Sequence, residues 1–176
     1  MCGLLGMLAT TGDVDKYVDA LERSLPCMRH RGPDAAGTWH DGDAAFGFNR
    51  LSIIDLEHSH QPLRWGPEDQ PDRYAMTFNG EIYNYVELRE ELKGLGYTFH
   101  TEGDGEPIVV GYHHWGKDVV NHLRGMFGIV IWDTHTKTMF AARDQFGIKP
   151  LYYATTDAGT VFASEMKCIL EMADEI

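Results

Sequence analysis

The apolar run Cys2-Gly3-Leu4-Leu5-Gly6-Met7-Leu8 starts at the second residue, so the amino terminus itself is committed to a buried strand. Asp13 to Met28 follows with apolar side chains at Val14, Tyr17, Val18, Leu21, Leu25 and Met28. Steps of three and four put these on one face of an amphipathic helix. His30-Arg31-Gly32-Pro33-Asp34 breaks that pattern and reads as a loop. Ala44 to Ile54 is strand-like, and Tyr74 to Phe78 is a further strand that the pair Asn79-Gly80 ends as a turn. Tyr85 to Leu95 reads as a helix closed by Gly96, with short helices over Glu106 to Trp115 and Lys117 to Leu123. Strands are expected over Phe127 to Trp132, Thr138 to Ala142, Leu151 to Ala154 and Thr160 to Ala163, with a hairpin turn at Asp133 to Lys137. A last helix, Glu165 to Met172, follows Ser164 as its N-cap. Short turns between neighbouring strands favour antiparallel sheets with helices outside them, an α+β layered domain.

No linker-like tract divides the 176 residues, so the reading is a single domain over 1–176. With 43% hydrophobic residues the chain can bury a sizeable core unaided. A formal net charge of -12 argues against a nucleic-acid partner, because phosphate binding draws on clustered Lys and Arg. Three cysteines, Cys2, Cys27 and Cys168, are too few for a disulfide framework and point to a reducing, cytoplasmic compartment. The apolar stretches are far short of a membrane span, and no secretory leader is read in the first residues.

Cys2 carries the chemistry. Removal of Met1 would put a free amine and a thiol on one residue, with reference pKa values of about 7.7–8.0 and about 8.5. One residue then supplies both base and nucleophile. Gly3 leaves room for a substrate beside it. The plain alternative is that position two merely starts a buried strand. A nucleophile attacking an amide needs donors for the oxyanion, and Asn79 offers a side-chain amide while Gly80 offers an unobstructed backbone N–H. Read alone, that pair is an ordinary turn. A glutamine substrate would bring an α-carboxylate suited to the planar fork of Arg50 and an α-ammonium suited to Asp104. His58 with His60 and His113 with His114 lack the spacing of a helical metal site, and Cys27 with His30 has a metal-like gap but no second pair, so no metal is expected.

Taken in order, these segments resemble the class II glutamine amidotransferase domain of the N-terminal-nucleophile hydrolases. The closest likeness is to the N-terminal domain of glutamine-hydrolysing asparagine synthetases. The likeness rests on residues 1–6 (MCGLLG), 29–34 (RHRGPD), 49–55 (NRLSIID), 61–63 (QPL) and 78–84 (FNGEIYN). It continues through 103–106 (GDGE), 124–128 (RGMFG), 142–153 (ARDQFGIKPLYY) and 163–167 (ASEMK). Gly103 stands where the family commonly has Ser or Thr.

The resemblance implies a four-layer αββα sandwich of two antiparallel sheets. It implies Cys2 as nucleophile, and Asn79 and Gly80 as the oxyanion hole. Arg50, Leu51, Ser52, Ile53, Ile54, Asn79, Gly80, Glu81 and Asp104 fall on the glutamine-binding positions. The loop 30–34 is given no chemistry. The expected reaction is hydrolysis of glutamine to glutamate and ammonia, feeding an ATP-dependent amidation, that of aspartate to asparagine on the closest likeness. No cofactor is expected in this domain; ATP and Mg would belong to a synthetase domain beyond Ile176, or to a separate subunit. A homo-oligomer is compatible with the family. Three rival readings differ in kind: an amidotransferase for another carboxylate such as a cell-wall precursor, a silent glutamine-binding regulatory domain, and a Cys/His metal protein.

Overall fold

Strand β1 (Gly3–Ala9) is buried along nearly its whole length, with no polar face. Such a strand needs apolar cover on both sides, and the architecture supplies it. The computed structural model describes residues 1–10, 12–52 and 60–176. After β1 come α1 (Asp15–Ser24), β2 (Ala35–His40), β3 (Ala44–Arg50), β4 (Leu63–Trp65) and β5 (Tyr74–Ile82). Then follow α2 (Tyr85–Gly94), α3 (Glu106–Trp115), β6 (Gly125–Asp133), β7 (Thr138–Arg143), β8 (Tyr152–Thr155), β9 (Gly159–Ala163) and α4 (Met166–Glu171). The strands form two antiparallel sheets, ordered β2-β3-β1-β9-β8 and β4-β5-β6-β7.

Three apolar clusters fill the spaces between layers. Leu4, Phe46, Phe48, Ala75, Val130 and Trp132 lie between the sheets. Leu5, Met7 and Ala45, from the other side of the first sheet, meet Leu21, Leu25, Cys168 and Ile169 of the α1 and α4 layer. Met76, Phe78, Ile129 and Ile131 of the second sheet meet Leu88, Leu92, Ile108 and Val109 of α2 and α3. The order is helices, sheet, sheet, helices: the expected αββα sandwich. Leu4, Phe46 and Phe48 are at most 1% exposed, which is worth about 1.5–3 kcal/mol each. Trp132 also ties the sheets by donating its indole N–H to Asp41 at 2.8 Å. Among the described residues no helix is long and apolar enough to cross a membrane.

Several sequence expectations change in detail. The helix over 13–28 is α1 followed by a 3-10 turn, Leu25–Met28, because Pro26 lacks the N–H that a continuing α-helix needs. Asn79-Gly80 is not a turn. Strand β5 runs on to Ile82 in register with β6, pairing Asn79 with Gly128 and Ile82 with Gly125, so ladder pairing overrides local turn preference. The segment 117–123 is largely a 3-10 turn, Gly116–Asn121. Ser164 does not cap α4; its Oγ instead accepts the Leu4 N–H at 3.1 Å. Strand β3 ends at Arg50, and Ile53 and Ile54 lie outside the described residues.

The segment joining β7 to β8 is built around one carboxylate. Asp144, 5% exposed, accepts N–H bonds from Phe127, Phe146, Ile148 and Lys149 at 2.9–3.2 Å. Gly147 takes φ 63°, where a Cβ would be strained and would also meet the Arg143 guanidinium. Burial alone would raise the Asp144 pKa, but the four N–H donors outweigh it and hold the carboxyl below its ordinary range. Its contribution to stability is therefore complete above pH about 4 and fades as pH falls further. Asp144→Ala is expected to destabilise the fold by about 2–4 kcal/mol at pH 7, since buried donors lose a charged acceptor. Urea unfolding at pH 7 and pH 3 checks this: the deficit must shrink at pH 3, and an equal deficit at both would contradict the assignment.

Candidate active site

The ends of β1 and β3 in one sheet meet the end of β5 in the other, and a cavity of about 230 Å³ opens there. It brings together Cys2, Arg50, Leu51, Asn79, Gly80, Glu81 and Asp104 from the sequence-derived set. Ser52 does not line it; its backbone N–H is held by Asp34 Oδ2 at 2.8 Å.

Cys2 immediately precedes the first residue of β1. Its Sγ accepts the Leu51 N–H at 3.3 Å and donates to the Leu51 carbonyl at 3.6 Å. The Cys2 carbonyl accepts Arg31 Nε at 3.0 Å, and Arg31 Nη1 pairs with Glu165 Oε1 at 2.8 Å. Two residues further on, Leu4 and Ser164 exchange two hydrogen bonds, so the loop before α4 grips the chain start. Burial raises the thiol pKa, and Asp104 adds to that, against the Leu51 N–H, the terminal amine and Arg50. The thiol is thus protonated at neutral pH and needs a base to become a nucleophile.

Asn79 is 1% exposed, and neither its amide oxygen nor its amide nitrogen has a partner among the described residues. Such a deficit costs about 1–3 kcal/mol, so it marks a place where a ligand group is to be received. Beside it, Gly80 permits the close approach of β6: a Cβ there would lie 2.2 Å from the Met126 carbonyl oxygen and 2.8 Å from the Phe127 Cα. Asp104 Oδ2 accepts the Ile82 N–H at 3.0 Å, fixing the 102–105 loop to the end of β5. Burial pushes the Asp104 carboxyl up and nearby Glu81 adds to this, while backbone N–H bonds oppose it. A cation arriving at Asp104 would relieve that penalty. Arg50 is 6% exposed at the cavity wall.

Three contributors escaped sequence reasoning. Arg31 sits in the loop 30–34, to which no chemistry was assigned, yet it holds the Cys2 carbonyl. Gln61 bonds the Phe78 backbone on both sides, accepting its N–H at 2.6 Å and donating to its C=O at 3.0 Å. It completes the edge of β5 one residue before Asn79. Lys149 reaches the cavity from the Asp144 turn. Each acts across a large sequence separation, where no local spacing signals it. Of the histidines set aside as metal ligands, His113 packs among Trp65, Tyr74 and Tyr97, and His114 against Tyr97 and Trp115, while His58 lies outside the described residues.

Comparison with known proteins identifies the family. The family model described as "Glutamine amidotransferase domain" matches residues 1–175. A Mycobacterium tuberculosis protein named "Putative asparagine synthetase (glutamine-hydrolyzing)" is 55% identical over 99% of this chain. Asparagine synthetase (glutamine-hydrolyzing) 1 of Bacillus subtilis is 43% identical over 100% of it. The chain spans 28% of the length of each of these relatives. Among solved structures, one titled as the allosteric regulatory enzyme of purine biosynthesis superposes with TM-score 0.78 at 21% identity, covering 98% of this chain and 43% of that one. It shares the fold. On the family match and the relatives' identity, the chain belongs to the glutamine amidotransferase domain family.

Proposed function

We propose that this domain hydrolyses glutamine to glutamate and ammonia with Cys2 as nucleophile, once Met1 has been removed. The observation that carries the reading is the unpartnered, buried Asn79 amide in the same cavity as the Cys2 thiol. Cys2 Sγ adds to the carboxamide carbon while the thiol proton passes to the α-amine of the same residue. The carbonyl oxygen becomes an oxyanion, received by the Asn79 amide and the Gly80 N–H. The amine then gives its proton to the departing nitrogen, the C–N bond breaks, and ammonia leaves a γ-glutamyl thioester. Water, deprotonated by the amine, attacks that thioester and releases glutamate and the thiol. Arg50 and Asp104, opposite charges that both line the cavity, take the substrate's α-carboxylate and α-ammonium.

The base in this scheme exists only when Cys2 is the first residue, because an amide nitrogen accepts no proton. The relatives' names support a destination for the ammonia, a synthetase domain or subunit that makes asparagine; its use of ATP and Mg to amidate aspartate is part of this proposal.

Wild-type protein is expected to release glutamate from glutamine, with intact mass showing Met1 absent from the active species, and Cys2→Ala to release none. Turnover by Cys2→Ala, or by protein that keeps Met1, would remove the mechanism. Asn79→Ala is expected to lower kcat by about 10²–10³ with little change in KM, as for other lost oxyanion donors. A loss confined to KM would assign Asn79 to ground-state binding instead.

A further inference from the structure

The segment 142–153 is prominent in the sequence, yet the proposed chemistry uses none of it. The structure shows what its centre delivers. Lys149 is 5% exposed, lines the cavity with Met1, Cys2 and Asn79, and its ammonium makes no hydrogen bond or ion pair among the described residues. Its backbone is pinned on both sides: the Lys149 N–H donates to Asp144 Oδ2 at 3.0 Å, and its carbonyl accepts Arg143 Nε at 2.7 Å. A buried cation without a counter-ion is costly, and a fixed turn that drives one into a cavity gives its charge a role there.

We propose that the Lys149 ammonium controls the proton affinity of the nucleophile's own amine, keeping that amine unprotonated and able to take the thiol proton near neutral pH. This deepens the glutaminase reading and rests on it. The electrostatics at the chain start run in the required direction. Burial lowers the pKa of the terminal ammonium now carried by Met1; Lys149 and Arg31 push the same way, while Cys2 and Asp34 oppose. Arg31 is largely neutralised by Glu165, whereas Lys149 has no such partner. The other charges facing this corner are Arg50 from β3, Glu81 from β5, Asp104 from the loop before α3, and Asp144 beneath Lys149 itself. With Met1 gone the amine moves one residue inward, onto Cys2, which lines the same cavity as Lys149. A free amine is the form that accepts a proton, so a neighbouring cation favours the reactive state.

The test is the titration of the Cys2 α-amine in the full chain, by competitive acylation across pH, alongside pH profiles of kcat/KM for glutamine. In wild type the amine should titrate below the ordinary value of about 7.7–8.0. In Lys149→Met both the amine pKa and the ascending limb of the profile should move up by about 0.5–1 unit, and Lys149→Arg should restore them. A wild-type amine that titrates normally overturns the proposal without recourse to any variant. So does a Lys149→Met profile with an unmoved limb and KM raised equally at every pH, which would make the lysine a substrate contact. If glutamine is not turned over at all, the glutaminase reading fails, and the amine titration still decides the electrostatic claim by itself.

Discussion

The site depends on β1 being the central strand of its sheet, hydrogen-bonded to β3 on one side and β9 on the other. A chain terminus normally frays, because its backbone has few partners and loses entropy on ordering. Here the first residues are fixed by two ladders, by the Leu4–Ser164 exchange and by Arg31 on the Cys2 carbonyl. The thiol therefore keeps a defined position although it is only two residues from the end. In the proposed mechanism, that rigidity is what lets a terminal residue serve as an attacking group.

The second sheet brings the polar deficit. Asn79 sits within a regular strand paired along its length with β6, and its side-chain amide has no partner among the described residues. Gln61 supplies the edge bonds that hold the preceding residue, so the deficit is confined to one side chain and does not spread along the strand. Asp104, Lys149 and the thiol share this logic. Burial disfavours the charged form of each, which makes the unliganded cavity strained and a complementary ligand stabilising.

Much of this architecture was legible from residue pattern, and the exceptions have physical reasons. The helices α1 and α2 announced themselves through apolar spacing, and β6 and β7 through runs around a short turn. Strand β2 escaped notice because it is an edge strand, largely exposed, with Gly37 at its middle. Strand β4 is three residues long. The Asn79-Gly80 pair misled because turn preference is local, while its fate was set by pairing with Phe127 and Gly128. At the site, Cys2, Arg50, Gly80 and Asp104 were nameable by chemistry and by family likeness. Arg31, Gln61 and Lys149 were not, since their partners lie at Cys2, Phe78 and the cavity wall, brought near only by folding.

The grip of Arg31 and Glu165 on the chain start joins residues 134 apart in sequence, and β9 lies still farther from β1. On a ribosome adding about 5–20 residues per second, the first strand waits on the order of ten seconds for its second neighbour. Throughout that interval the amino terminus has at most one side of its ladder and no ion-paired clasp. The trimming of Met1 that the proposed mechanism requires would have its open period before the sheet closes, and the order of synthesis would become part of how such a terminus matures.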